Sequence, residues 1–537
     1  MKLNRDGIRR HEEWEKAGIR LPQFDIDAMR EQTKAAPQWV HFGAGNIFRG
    51  FLAELQQRLL ERGLVSTGIV AAETFDEEII DKIYRPYDSL ALLVLMHPDE
   101  RLEKSVIGSI VSGLSATPQQ KTDWEALKQI FRNPSLQMVS FTITEKGYAL
   151  RDMQGELLPS VQEDILAGPQ SPHHAMAVVA ALAYERYQAG ELPVAFVSMD
   201  NCSHNGEKLS SAVLEVVRAW QQNGLVPTEF TAYMENQEKV AFPWSMIDKI
   251  TPRPSPVVQQ ALEQAGVEDM APVITQKKTF IAPFVNAEVP QYLVVEDAFP
   301  NGRPALEQAG VYFTDRTTVE KTERMKVTTC LNPLHTALAV YGCLLGYDSI
   351  AAEMEDPQLK KLVEKIGYEE GMPVVVDPGI IHPMDFIHEV IDQRLPNKFI
   401  PDMPQRIATD TSQKVGIRFG ETIRAYQSRE GLDPSTLVAI PLALAGWLRY
   451  LLALDDNGQQ MEVSADPMKE QLQQYLQGIV LGNSTSYRGQ LRPVLENETV
   501  FGVNLYQVGL GEKIERIFQE LIAGPHAVRA TLKQYLQ

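Results

Sequence analysis

The chain has 537 residues, 44% of them hydrophobic and 23% charged, with a formal net charge of −19. Such a length exceeds one compact core and predicts roughly two to four domains of ordinary globular composition. The acidic balance excludes nucleic acid and anionic membranes, which both need a basic face, but leaves room for a small anionic substrate in a local Arg or Lys pocket.

Residues 1 to about 36 are polar and predict a short helical arm on the surface. The apolar run Trp39-Val40-His41-Phe42 then ends in Gly43-Ala44-Gly45, and apolar residues at 51, 52, 55, 59 and 60 give helical spacing. This reads as strand, glycine turn, helix. Further buried strands are expected at 68–72, 136–144 and 194–199, the last preceded by a helix over 174–189. Strands alternating with helices indicate a parallel, doubly wound sheet. The stretch Ala298 to Pro304, bearing Pro and Gly, sits near the end of this first domain. From about 320, apolar residues fall at helical spacing through 326–346, 350–367, 403–427, 437–454, 467–479 and 511–535, and only Val374-Val375-Val376 looks strand-like. The expected architecture is α/β: a Rossmann-type domain with its arm over 1–318, then a mainly α-helical domain over 319–537.

Cys202, Cys330 and Cys343 are odd in number and lack CxxC spacing, which suits a reducing compartment and argues against structural zinc. Met1 to Asp6 lacks the apolar run of a signal peptide, and no apolar stretch reaches about 18 residues. The expectation is a cytoplasmic protein, a monomer or small homo-oligomer, without a membrane span.

In Gly43-Ala44-Gly45-Asn46-Ile47-Phe48 the first glycine permits a tight turn and the second lets the backbone approach a pyrophosphate. The helix N-terminus at Asn46 and Ile47 supplies N–H donors. Phe48 takes the place of the third glycine of the dinucleotide fingerprint, so an ordinary βα turn stays open as a reading. After the second strand a carboxylate should accept from the adenosine ribose hydroxyls and disfavour a 2′-phosphate, which selects NAD. Glu73 is the better placed, and Asp76 is the alternative.

Four segments carry unusual polar residues: Thr144-Glu145-Lys146-Gly147-Tyr148, Asp200-Asn201 with Asn205-Gly206, Ser245-Met246-Ile247-Asp248-Lys249-Ile250-Thr251-Pro252, and Lys326 to His335. The first two follow predicted parallel strands at their C-terminal ends, where open α/β sheets place ligands, so Thr144 and Glu145 are cofactor-binding candidates. In this combination and order the sequence resembles the mannitol dehydrogenase family, the polyol-specific long-chain dehydrogenases, from His41 to past Lys414. The glycine turn looks closest to the family's mannitol-phosphate branch, and the later segments look more like its fructuronate reductases.

The resemblance implies hydride transfer without a metal ion, with NAD as cofactor and a sugar acid or polyol as substrate. It implies Lys326 as general base, Asn201 and Asn332 as oxyanion donors, His335 orienting the substrate, Asp248 contacting it or supporting the site, and Glu145 near the proton path. The residue types suit that chemistry. Burial and neighbouring positive charge lower a lysine from about 10.4 toward about 7–8, and amides stabilise an alkoxide without losing protons. The implied reaction interconverts D-mannonate and D-fructuronate. Polyol or polyol-phosphate dehydrogenase, tagaturonate reductase and a non-catalytic NADH sensor are the alternatives.

One departure stands out. The family pattern is Lys-x4-Asn-x2-His, whereas five residues separate Lys326 from Asn332. On a regular helix one extra residue rotates the lysine by about 100°, so a one-residue bulge or helix break before Pro333 is expected. For a substrate carboxylate, Arg394 is the first candidate, since arginine offers two parallel hydrogen bonds; Arg406 and Lys414 follow. Asp377, His382, Asp385, His388 and Glu389 form the one competing metal constellation, but the two histidines are six apart and HExxH spacing is absent, so no metal is assigned.

Overall fold

The structure is a computed structural model describing all 537 residues. The chain divides into two units, residues 1–97 with 101–320, and residues 98–100 with 321–537. The expected boundary after residue 318 thus falls two residues early.

The central sheet of the first unit has six strands: β1 (Trp39–Phe42), β2 (Ile69–Glu73), β3 (Ile110–Ser115), β4 (Met138–Phe141), β5 (Val194–Ser198) and β6 (Val240–Ala241). They lie in the order 3-2-1-4-5-6, and every neighbouring pair is parallel. This is the dinucleotide-binding strand order, with its reversal between β1 and β4. All residues of β1, β2, β4 and β5 are buried, because helices cover both faces and the strands need continuous apolar runs. Alternate residues serve the two cores. Val40, Phe42, Val70, Ala72, Val139, Phe141 and Phe196 pack with Leu127, Leu182 and Val213 on one face. Trp39, Ile69, Ala71, Met138, Ala195 and Val197 pack with Phe51, Leu55 and Leu59 on the other.

The helix Ala175–Gln188 also carries a buried cation to the N-terminal ends of β4 and β5. Arg186 donates to the carbonyls of Phe131, Asn133, Leu136 and Pro193 at 2.7–2.9 Å.

The polar arm forms three short helices, Arg5–Ile8, His11–Lys16 and Ile26–Ala35. Besides the two-stranded hairpin of Val273–Ile274 with Phe280–Ile281, two small sheets were not anticipated. Ala91–Met96 and Leu102–Ile107 pair antiparallel and are flanked in parallel by Phe284–Glu288 and Ile19–Arg20. Ser245–Asp248, Tyr292–Glu296 and Tyr312–Thr314 form the other.

The second unit is helical, and none of its longer elements is a strand. Val374 closes a 3-10 turn, Met372–Val374, so the triple-valine run is not a strand. Its neighbours Gly371 and Pro373 break any extended run. The helix Ala439–Tyr450 is buried on every side, as expected of a core helix. Both its ends are matched to the helix dipole. The Glu370 carboxylate accepts the N–H groups of Val438, Ala439 and Ile440 at 2.6–2.8 Å. Arg449, near the other end, donates to the carbonyls of Leu454, Asp455 and Leu521. No helix is long and apolar enough to cross a membrane.

Glu370 leaves two buried N–H groups and one half-buried one unserved if truncated. Glu370→Ala should therefore destabilise the helical unit by about 3 kcal/mol or more, measured as a fall of several degrees in the melting temperature.

Candidate active site

The glycine turn sits at the end of β1, beside the reversal of strand order. Gly43 has φ +105°, and a Cβ there would lie 2.2 Å from the Thr142 carbonyl oxygen, so no other residue fits. Around Gly45 the opposite holds: a Cβ would meet nothing within 4 Å. That open cradle, facing the first-turn N–H groups of Asn46 and Ile47, which lack intrahelical acceptors, fits a dinucleotide pyrophosphate.

Phe48 does not disrupt the turn. It is fully buried, stacked on His41 with ring centroids 4.3 Å apart, and it opens a π turn, Phe48–Leu52. Close packing, the usual duty of the third glycine, moves to Gly50, where a Cβ would lie 2.7 Å from Val285 Cγ1. Sequence reasoning missed Arg49. Buried and lowered to about 10 by desolvation, it donates to the Ala282 carbonyl at 2.8 Å and to Asn46 Oδ1 at 2.9 Å. The Asn46 side chain is thereby held within the fold, leaving its backbone N–H to the cradle.

His41 lies beneath the turn in a one-way chain. Trp39 Nε1 donates to Ser140 Oγ at 2.7 Å, and Ser140 faces His41 Nδ1 at 2.6 Å. His41 Nε2 faces Thr142 Oγ1 at 2.8 Å, and Thr142 donates to the Gly43 carbonyl at 3.4 Å. These partners assign a neutral imidazole protonated on Nε2. Burial pushes its pKa down to about 3.

Glu73 ends β2 and is buried, 6% exposed. It accepts the Ala44 N–H at 2.8 Å and the N–H groups of Phe75 and Asp76 at 2.8 and 3.1 Å. Burial raises its pKa against those three bonds. Glu73 therefore fastens the glycine turn to the end of β2, and an ionised carboxylate has lone pairs left for a ribose hydroxyl. Asp76 is committed elsewhere: it is buried and accepts the Thr275 hydroxyl at 2.6 Å.

At the ends of β4 and β5 the first three polar motifs join into one network. The Asp200 carboxylate accepts the N–H groups of Ile143 and Thr144 at 3.0 and 2.9 Å and the Tyr148 hydroxyl at 2.5 Å. Tyr148 in turn lies 2.8 Å from Ser198 Oγ. Burial raises the pKa of Asp200, partly offset by these bonds. Thr144 is held at φ +66°, a strained value for a β-branched residue. Asn205 takes the next link, donating to the Asp200 and Ser245 carbonyls at 3.0 Å and accepting the Ser245 N–H at 3.0 Å. Gly206 lets the helix Asn205–Gln222 abut Phe242-Pro243-Trp244, where a Cβ would be 2.6 Å from the indole. Asn201 is exposed beside Asp200, Glu145 is exposed and ion-paired with Lys208, and Asp248 is the buried last residue of its strand. His204 stacks on Trp244, with ring centroids 4.5 Å apart.

In the helical unit Lys326 is 2% exposed and opens a π turn, Lys326–Cys330, closed by the Leu331 N–H on the Lys326 carbonyl at 3.1 Å. Leu331 leaves helical geometry (φ −134°), and a new helix, Asn332–Leu345, begins. The extra residue between Lys326 and Asn332 is thus taken up by a π turn and a break. Pro333 has no N–H to offer, and the Thr328 carbonyl instead accepts the Thr422 hydroxyl at 3.3 Å. Asn332 and His335 are half-buried, and His335 Nε2 lies 3.4 Å from Asp402 Oδ2. Burial pushes the Asp402 carboxyl up, but His335 and Arg406 together outweigh it and hold the group below the usual carboxylate range; nothing in the sequence marked it.

Arg394 is buried at the end of another π turn, Val390–Arg394. The two weaker cations have other duties. Arg406 is ion-paired with Asp402, and Lys414 donates to the carbonyls of Ile407 and Thr409 in its own loop. In the competing constellation Asp377 caps the Gly379 N–H, His382 and Asp385 are exposed 3.8 Å apart, and His388 packs edge-on against Tyr368. No three His, Cys, Asp or Glu side chains are grouped to hold a metal ion.

Two measurements follow from these networks. His41 cannot take a proton in the folded state until about pH 3, whereas an unfolded histidine does so near 6.5. Stability of the Rossmann unit should therefore be independent of His41 above pH 6.5 and fall as pH drops below it, by about 2 kcal/mol at pH 5. Urea unfolding at pH 7 and pH 5 reads this, and His41→Gln should flatten the difference. Asp200→Asn turns an amide N–H toward one of two backbone donors. It should weaken NADH binding about tenfold, with Tyr148→Phe, which removes one bond, the milder of the two in a direct titration.

Family models agree with this geometry. The mannitol dehydrogenase Rossmann domain matches residues 37–308 and the mannitol dehydrogenase C-terminal domain matches 318–522. The chain is 56% identical over 536 residues to D-mannonate oxidoreductase of Thermotoga maritima, covering 99% of each chain. Among solved structures it is similar to Pseudomonas fluorescens mannitol 2-dehydrogenase in ternary complex with NAD and D-mannitol, at TM-score 0.70 and 27% identity over 100% of this chain and 99% of that one. It is also similar to a substrate-free D-sorbitol dehydrogenase, at TM-score 0.77 and 25% identity over 96% and 97%. A Rossmann unit in the dinucleotide-binding strand order, its three interlocked motifs and both family models lead to one conclusion: the chain belongs to the mannitol dehydrogenase family.

Proposed function

We propose that the protein is an NAD-dependent oxidoreductase that interconverts D-mannonate and D-fructuronate. The observation that carries this reading is the 56% identity to D-mannonate oxidoreductase along both chains, end to end. Gly43, Gly45, Asn46 and Ile47 would hold the pyrophosphate of NAD, and Glu73 its adenosine ribose. Bound NAD supplies the hydride acceptor and, reduced, the donor.

The chain's own groups handle the proton and the charge. In this reading Lys326 Nζ takes the hydroxyl proton when the alcohol is oxidised and returns it when the ketone is reduced. Its seat suits a proton-transfer group, since the side chain is buried and its backbone is fixed by the π turn. The amides of Asn201 and Asn332 donate to the alkoxide, which concentrates charge as the proton leaves. His335, backed by Asp402 at 3.4 Å, orients the substrate hydroxyls. Arg394 holds the carboxylate by two parallel hydrogen bonds, and Asp248 contacts the substrate chain. Thr144 borders the cofactor, and Glu145 stands at the solvent end of the proton path. The three cysteines are few and lack CxxC spacing, which suits a reducing compartment, and we assign the cytoplasm.

An NADH-oxidation screen across fructuronate, tagaturonate, fructose and fructose 6-phosphate tests the substrate. Fructuronate should be reduced with the highest kcat/KM; a preference for fructose would instead mark a polyol dehydrogenase, and no turnover at all would mark a sensor. Lys326→Ala should lower kcat by at least about 10³-fold while leaving NADH affinity within about twofold, and activity surviving in that variant would place the base elsewhere.

A further inference from the structure

With NAD as the coenzyme, we propose that Phe75 is the aromatic face on which its adenine ring lies, beside the hairpin 273–281. The ring stands two residues beyond Glu73, in the turn that leaves β2, and is 64% exposed. An exposed phenylalanine is unusual at a position so firmly built. Its own N–H donates to Glu73 Oε1 at 2.8 Å, the carboxylate expected to meet the adenosine ribose. Ring and carboxylate therefore share one rigid turn, at the carboxyl end of the strand where the adenosine half of a dinucleotide is placed by this strand order.

The hairpin explains how the turn is held. Val273–Ile274 and Phe280–Ile281 pair antiparallel, and the bend between them is latched to the β2 turn by three side-chain bonds. Thr275 donates to Asp76 at 2.6 Å, the Gln276 N–H donates to Glu78 at 3.0 Å, and Lys277 donates to the Phe75 carbonyl. The Lys277 ammonium also lies 4.9 Å from the Phe75 ring centroid. A cation over one face fixes the ring's orientation and leaves its remaining surface to a flat, apolar partner. A purine is such a partner, and the adjoining carboxylate selects the sugar attached to it.

The test uses binding, measured by NADH fluorescence titration on the full-length protein, together with kinetics. Phe75→Ala should raise the Kd of NADH about tenfold, the usual loss when a base forfeits an aromatic platform, and should weaken competition by AMP by the same factor. Phe75→Trp should restore both. The reduced mononucleotide NMNH lacks adenosine, so its KM should not change in either variant. Lys277→Met, which frees the ring, should give a smaller loss of NADH affinity. Unchanged NADH affinity in Phe75→Ala would overturn the proposal, as would an equal loss with NMNH. If the unaltered protein bound no NADH, the coenzyme assignment itself would fall, an outcome distinct from both.

Discussion

The buried carboxylate of Asp200 is the constraint on which the Rossmann site depends. It stands at the end of β5, yet two of its hydrogen bonds go to the backbone beyond β4 and a third to Tyr148 in the same segment. Two adjacent strand ends are thereby locked at one height, and Thr144 is kept in a conformation it would otherwise abandon. Asn205 extends the lock to the strand that bears Asp248. At the opposite end of β4 and β5, Arg186 does the converse, gathering four carbonyls with one guanidinium. An anion that collects amides and a cation that collects carbonyls close the two ends of the same strand pair. Each is costly to bury alone and stable only when its whole set of partners is present.

The glycine turn is built on a different footing, in which backbone shape matters more than charge. Gly43 is fixed by its neighbour's carbonyl, Gly45 by the space it leaves open, and Glu73 ties the turn to β2. The histidine under the turn contributes as a neutral hydrogen-bond relay rather than as an acid or base. A group that would draw attention by its residue type alone is here structural.

What could be read from the sequence was whatever depends on nearby residues. Four strands of the parallel sheet were legible because burial on both faces demands unbroken apolar runs such as Ile69-Val70-Ala71-Ala72, whereas the edge strands Ile110–Ser115, only partly buried, and Val240–Ala241, two residues long, were not. The disruption after Lys326 was legible from a count of residues and the proline that follows. The two small sheets were not, since Phe284–Glu288 pairs with Ala91–Met96 across almost two hundred positions and neither segment alternates cleanly. The valines at 374–376 look like a strand until the glycine and proline before them are weighed. The displacement of close packing from the position of Phe48 to Gly50 depends on Val285, which no local pattern announces. The same holds for the duties of Asp76 and Lys414, set by a threonine far along the chain and by the lysine's own loop.

The π turn at Lys326–Cys330 bears on descent as well as on geometry. A residue added within an α-helix would ordinarily turn everything on one side of it by about 100° and scramble the apolar stripe that docks the helix. Here the widening is confined to one turn, so Leu334, Leu338 and Tyr341 remain buried in the core of their unit. A chain can thus gain a residue between Lys326 and Asn332 without rebuilding the scaffold. Relatives compared position by position across this stretch should accordingly be offset within the helix itself, not at a neighbouring loop.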